Sequence, residues 1–241
     1  MVLSSPLLRQ YAELLRALDE KTREVSERIP ELPCKNRCYE CCEQLFPVSF
    51  IEAFYLSEGF KSLERSVRRE RKRIAEKTHS KIRAQNPFQF EKRGVDKRTA
   101  LETHNEFARF LHGFELDCPA LDPTRKEGSC TVYEFRNHDC RTMGSSIDPA
   151  ARAILGCERF NVLGHLAPRM MDYNFRYPDK MALDRAFLQD ITLGAFTPNL
   201  LYYTTMGGPL LKDYAAQDWI EFFKAKGVPA ESEEYWVVID V

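Results

Sequence analysis

Cys34-Lys35-Asn36-Arg37-Cys38-Tyr39-Glu40-Cys41-Cys42 carries four thiols in nine residues. On a helical turn Cys38 and Cys42 share a face at i, i+4, and Cys38 and Cys41 are i, i+3 neighbours. Cys34 then sits one turn earlier or in the entering loop. Adjacent helical residues point about 100° apart, so Cys41 and Cys42 are awkward joint ligands for one ion. The spacing favours three ligands from this segment on one centre, with the spare thiol reaching elsewhere. A second group, Cys118, Cys130, Cys140 and Cys157, follows after a long gap. Cys118-Pro119 has the form of a ferredoxin-type ligand ending, although Pro after Cys also occurs in plain turns. Four plus four suits two four-ligand sites, or one four-thiolate cluster with the rest serving a second metal or redox chemistry. All eight cysteines are candidate metal ligands.

The remaining composition decides how thiols are read. The chain has 241 residues, 29% of them charged, and a formal net charge of −1. No global field points to nucleic acid or a membrane surface. The N-terminal residues lack a basic start and an apolar run, and no segment approaches the ~18 apolar residues that span a bilayer. The expected location is cytoplasmic, where thiols stay reduced and a dense pattern reads as metal-binding or catalytic before disulfides. Lys35, Arg37, Arg136, Arg141 and Arg159 lie near cysteines in sequence and would offset an anionic thiolate centre. Structural zinc prefers two close cysteine pairs, which the second group lacks. Tightly spaced cysteines followed by distant ones favour iron–sulfur ligation, with Zn²⁺ as the alternative.

Around the thiols the pattern is helical. Leu7, Leu8, Tyr11, Leu14, Leu15, Leu18, Val25 and Ile29 recur at three- and four-residue steps and stop at Pro30 and Pro33. Ser49 and Glu52 have capping-box spacing, predicting a short helix that breaks near Gly59. Lys61 to Arg83 is strongly basic. Its stripe of Phe60, Leu63, Val67, Ile74, Thr78 and Ile82 predicts one long helix with Arg68, Arg69, Arg71, Lys72 and Arg73 on a solvated face. The alternative for that face is a nucleic-acid or anionic-partner surface. A further helix is expected from about Asp96 to Gly113. The stretch from Cys118 to Cys157 is punctuated by Pro and Gly and reads as loop-rich. Helix returns around Leu183–Leu193 and Pro209–Lys226, and Tyr235–Ile239 reads as a short strand. Three regions are expected: 1–33, an N-terminal helix packing on the core; 34–160, a cysteine-cluster domain with an inserted basic helix; and 161–241, a helical extension of the same globule.

Taken in order, Cys-x₃-Cys-x₂-Cys-Cys, Cys118-Pro119-Ala120-Leu121-Asp122 and Cys130-Thr-Val-Tyr-Glu-Phe-Arg-Asn-His-Asp-Cys140-Arg resemble the YkgJ-type (CxxCxxCC) family of zinc- or iron-chelating cysteine-cluster proteins. Cys118, Pro119, Leu121, Cys130, Tyr133, Arg136, Cys140 and Arg141 match its middle blocks, and Glu52 matches its acidic helix start. Two positions depart: the first spacing is one residue longer, and Asn137 stands where the family has Pro. The resemblance covers about Cys34 to Cys157 and implies a cysteine-ligated centre, [4Fe-4S] in form. A flagellin lysine methylase resembles the same block, which implies protein modification or methyl transfer as a role. Cys34-x₃-Cys38-x₂-Cys41 also has radical S-adenosylmethionine spacing, though Glu40 holds the usual aromatic position and strand–helix units are missing.

His104, His112 and His138 read as surface or core histidines, with a supporting role at the ligands as the alternative for His138. Tyr133, Tyr202, Tyr203, Trp219 and Trp236 read as packing. No phosphate-binding or dinucleotide motif is present. The expectation is a mainly α protein, an irregular helical domain organised around a cysteine-ligated iron–sulfur or metal centre. It would hold a [4Fe-4S] cluster, alternatively Zn²⁺, with S-adenosylmethionine as the co-substrate if it is an enzyme. The alternatives to an enzyme are a redox protein or a zinc-binding structural adaptor with a fully ligated centre. A protein partner or substrate is expected; nucleic acid and membrane are not.

Overall fold

A computed structural model describes residues 5–32, 49–85, 118–122, 129–148, 153–154, 168–172, 174–192, 201–203 and 236–238. Cys34, Cys38, Cys41, Cys42 and Cys157 lie outside them, as do the helices expected at 96–113 and 209–226. The described residues are mainly helical.

Helix α1 (Pro6–Arg28) begins where the Ser5 hydroxyl accepts the Leu7 N–H at 3.2 Å and Pro6 occupies the first turn. Its inward stripe of Leu8, Tyr11, Leu14, Leu15, Leu18 and Val25 is buried, as the periodicity predicts, and the helix closes at Ile29, just before Pro30.

Helix α2 (Phe50–Ser62) starts at Ser49, whose N–H donates to the Glu52 carboxylate at 2.7 Å. Ile51, Glu52, Ala53, Tyr55, Leu56 and Phe60 are all buried, over an arc wider than half the helix, as befits an element packed between others. The expected break at Gly59 does not occur. The helix passes through Gly59 because the ring of Phe135 lies against the backbone there: a Cβ on Gly59 would sit 2.6 Å from Phe135 Cγ. Glycine is used for close approach, and the chain turns later, at extended Leu63.

That turn also divides what reads as one basic helix. Helix α3 (Arg65–Gln85) is a separate element, opened by the Arg68 N–H donating to Glu64 O at 2.8 Å. Arg71, expected on the solvated face, is only 2% exposed; its guanidinium donates to Leu121 O and pairs with Glu70 at 3.2 Å. A buried arginine is tolerated because it meets a carbonyl and a carboxylate.

The segment from Cys118 is irregular, as its Pro and Gly content predicts. Strands β1 (Leu121–Asp122) and β2 (Ser129–Cys130) pair antiparallel. A 3-10 turn (Tyr133–Phe135) and a one-turn helix α4 (His138–Thr142) follow. Gly144, at φ 76°, reverses the chain into β3 (Ser146–Asp148). That strand lies between antiparallel β4 (Ala153–Ile154) and parallel β5 (Met171–Asp172).

Helix α5 (Tyr177–Thr192) starts well before the expected Leu183. Its early turns turn Lys180, Asp184 and Phe187 inward, so an apolar pattern underestimates its length. Helix α1 packs against α2, α4 and α5, and α2 packs against α5 and the 3-10 turn. The strand expected near the end is β7 (Trp236–Val238), parallel to β6 (Leu201–Tyr203). No helix of the described residues is long and apolar enough to cross a membrane.

Replacing Gly59 by Ala should destabilise the protein by about 1–3 kcal/mol, because the methyl meets Phe135 near its rigid Cβ–Cγ root and overpacking outweighs helix propensity. Urea unfolding of Gly59→Ala measures it; an unchanged or raised midpoint would mean that Phe135 moves aside at no cost.

Candidate functional site

Three of the candidate ligands are described, and each is placed by its own local device. Cys118 opens a turn in which Pro119 takes the second position and the Leu121 N–H returns to Cys118 O at 2.9 Å. Cys130 stands opposite Leu121 in the β1–β2 pair, next to Thr131, whose N–H and hydroxyl both donate to Ala120 O at 2.8 and 2.9 Å. Cys140 lies in α4, its N–H donating to the Asn137 side chain at 2.8 Å. Asn137 caps the helix that carries Cys140.

These placements converge. Buried Cys118 belongs to an apolar cluster of Ala53, Leu56, Phe60, Ala120, Leu121 and Val132, and the half-buried Cys130 and Cys140 pack against it. All three are thiols rather than halves of disulfides. Burial pushes the Cys130 thiol up, opposed by the Val132 backbone and by the Arg136 and Arg141 guanidiniums. Soft sulfur donors on a water-poor wall suit iron–sulfur or zinc in donor chemistry. Among the described residues no group of three or more Cys, His, Asp or Glu is drawn together closely enough to hold a metal ion.

Of the cations expected to offset thiolates, Lys35, Arg37 and Arg159 lie outside the described residues, and Arg136 and Arg141 have structural duties as well. Arg141, 5% exposed, pairs with Asp19 of α1. It also donates to Arg136 O at 2.9 Å and to Glu134 O at 2.7 Å. Thr22 adds a hydroxyl bond to Arg141 O at 3.3 Å, so α1 is tied directly to the cysteine-bearing helix. Arg136 donates to Cys140 O at 3.3 Å and lies over the Tyr133 ring at 3.7 Å. Tyr133 is therefore not packing in the core, as the sequence suggests, but is 56% exposed and acts as a platform for that arginine.

Beside the thiols lies a buried polar junction. The Glu52 carboxylate, 1% exposed, accepts the Tyr11 hydroxyl at 3.1 Å, the His138 N–H at 3.1 Å and the Ser49 N–H at 2.7 Å. It also pairs with the Lys180 ammonium at 3.1 Å. Burial works against the Lys180 charge, but Glu52 and its acidic neighbours outweigh it and hold the ammonium strongly protonated. Burial, then the Glu52 charge, pushes the Tyr11 phenol well up. Asp184 accepts the Ile51 N–H at 2.9 Å. Burial pushes its carboxyl up to about 6, against the opposing pull of the Ile51 N–H and Lys180. His138 is fully buried, with its ring edge-on to Tyr177, and so is a core histidine.

Asp19, Arg71, Lys180 and Asp184 escape sequence reading because each is a charged residue in an otherwise ordinary helix. For Lys180 and Asp184 the available signal is their i, i+4 spacing on one face followed by Phe187. Compared with family models, with curated proteins and with solved structures, the chain matches none.

The Asp184 carboxyl binds its proton more tightly in the folded chain than in the unfolded one. Its contribution is therefore complete below pH ~4 and lost as the pH rises through about 6. Between pH 4 and 7 the native chain should lose up to about 3 kcal/mol of stability relative to Asp184→Asn. Denaturant unfolding of both across that range is the check; parallel pH curves would contradict it.

Proposed function

We propose that the protein binds an iron–sulfur cluster of the [4Fe-4S] kind through its cysteines, as the resemblance to the YkgJ-type cysteine-cluster family implies. What carries the reading is that Cys118, Cys130 and Cys140, supplied by a turn, a strand and a helix, meet one apolar wall whose floor is Ala53, Leu56 and Phe60 of α2. A disulfide framework needs no such common wall. Cys118, Cys130 and Cys140 would contribute ligands from this side, with Cys34, Cys38, Cys41, Cys42 and Cys157 as the further thiol donors. When bound, such a cluster supplies one-electron chemistry or, with three protein ligands, an open iron for a small molecule such as S-adenosylmethionine.

The chain's own residues keep that wall dry and oriented. Arg71 holds β1 by its Leu121 carbonyl, Asn137 holds the turn that carries Cys140, and Gly59 lets the Phe135 ring close against α2. Arg136 and Arg141 set positive charge beside Cys130, favouring its thiolate against the cost of burial. This resembles the outer support that tunes cysteine-ligated centres.

Anaerobically purified protein should be brown and contain iron with an equal amount of acid-labile sulfide. Cys118→Ser, Cys130→Ser and Cys140→Ser should each lose most of the iron while retaining helical circular dichroism. Colourless protein with stoichiometric zinc would replace the cluster by the structural-metal alternative. Full iron retention in all three variants would remove these thiols from the ligand set.

A further inference from the structure

Helix α3 carries nine Lys or Arg residues in its 21 positions and two acids, Glu70 and Glu76, in a chain whose total charge is −1. The excess is therefore local to this element and does not follow from the protein's overall charge. At about 100° per residue, Arg65, Arg68, Arg69, Lys72, Arg73 and Lys77 fall on one half of the helix, and all six are exposed. The opposite half faces the protein through buried Arg71 and Ala75 and half-buried Val67 and Ile74. Arg68 spends one N–H on Lys61 O at 3.1 Å, and Glu70 is turned to Arg71.

We infer that this face of α3 binds the phosphate backbone of a nucleic-acid duplex without reading its sequence. Arg65 to Lys77 spans about 18 Å along the helix axis. Over that length a duplex presents roughly ten phosphate charges, of which six cations can offset about half. Four of the six are arginines, whose planar fork meets phosphate oxygens two at a time.

The same observations weigh against the other anionic partners. Protein interfaces place apolar and aromatic anchors at their centre, and the exposed cationic half of α3 has none among its described side chains. An interfacial membrane helix inserts its apolar face, whereas Ala75 of α3 is fully buried inside the protein. Single strands are bound by stacking on aromatic platforms, and none stands among the described side chains of this half. This half is polar and, with Glu76 as the one acid that falls on it by position between Arg65 and Lys77, predominantly positive, which is what backbone binding to a duplex uses. None of this depends on whether the cysteines hold a cluster.

The test uses the full chain and fluorescence anisotropy with 20-base-pair duplex RNA and duplex DNA, alongside polyglutamate and phosphatidylserine vesicles. Either duplex should bind, with affinity falling steeply with salt; the two duplex arms distinguish RNA from DNA as the source of the phosphates. Arg69→Gln with Arg73→Gln should weaken duplex binding at least ~10-fold at low salt and flatten the slope of log K against log salt by about 1.8, at 0.9 per cation. Arg16→Gln with Arg23→Gln, a matched pair on the exposed side of α1, should leave it within about twofold, as cations outside the backbone contact do not enter the slope. Melting temperatures of both variants should stay unchanged. No duplex binding at 50 mM salt, equal losses in the two variants, or tighter binding to polyglutamate or vesicles than to either duplex would overturn the inference.

Discussion

One buried carboxylate ties together the helices on which the rest of the protein is built. Glu52 receives a hydroxyl from α1, a backbone N–H from its own helix start, a backbone N–H from the first residue of α4 and an ammonium from α5. Each lone-pair direction is used, so a charge that would be prohibitive alone at this depth is compensated by geometry. An apolar side chain at the same place would fill the volume yet leave three donors and a lysine without an acceptor. The junction thus fixes the relative positions of four elements, beyond whatever it adds to stability.

Helix α2 carries that constraint to the thiols. Its first turn is the polar junction, and its later turns, Ala53, Leu56 and Phe60, are the floor on which Cys118, Cys130 and Cys140 pack. The two ends are linked a second time through α4, since His138 is held by Glu52 and Cys140 lies two residues further on. The Arg141–Asp19 pair and the Thr22 bond brace the same helix against α1. A cysteine wall needs such support because short strands and single turns have little cohesion of their own. Arg71 extends the bracing from α3, whose inner face anchors β1 while its outer face stays basic and exposed.

The sequence reveals these elements unevenly, for physical reasons. Helix α1 is legible because its stripe is apolar throughout, and the start of α2 because Ser49 and Glu52 stand three residues apart. The same Glu52 hides its larger role, since the capping pattern reports one of its partners and the others arrive from Tyr11, His138 and Lys180. Gly59 misleads because a glycine signals either a stop or a close approach, and only the position of Phe135 separates them. Arg71 misleads because a basic run does not say which member turns inward. The cysteines are visible as a pattern; that three of them share a wall with α2 follows from long-range packing that spacing does not encode.

The most direct measurement is a double-mutant cycle in urea on Glu52→Gln, Lys180→Met and the two combined. If the buried pair organises the helices, each single change should cost about 3–5 kcal/mol by stranding its partner, and the combination should cost at least ~1.5 kcal/mol less than the two together. Losses that add to within about 0.5 kcal/mol would show that the carboxylate and the ammonium act independently, and would contradict the role given to Glu52.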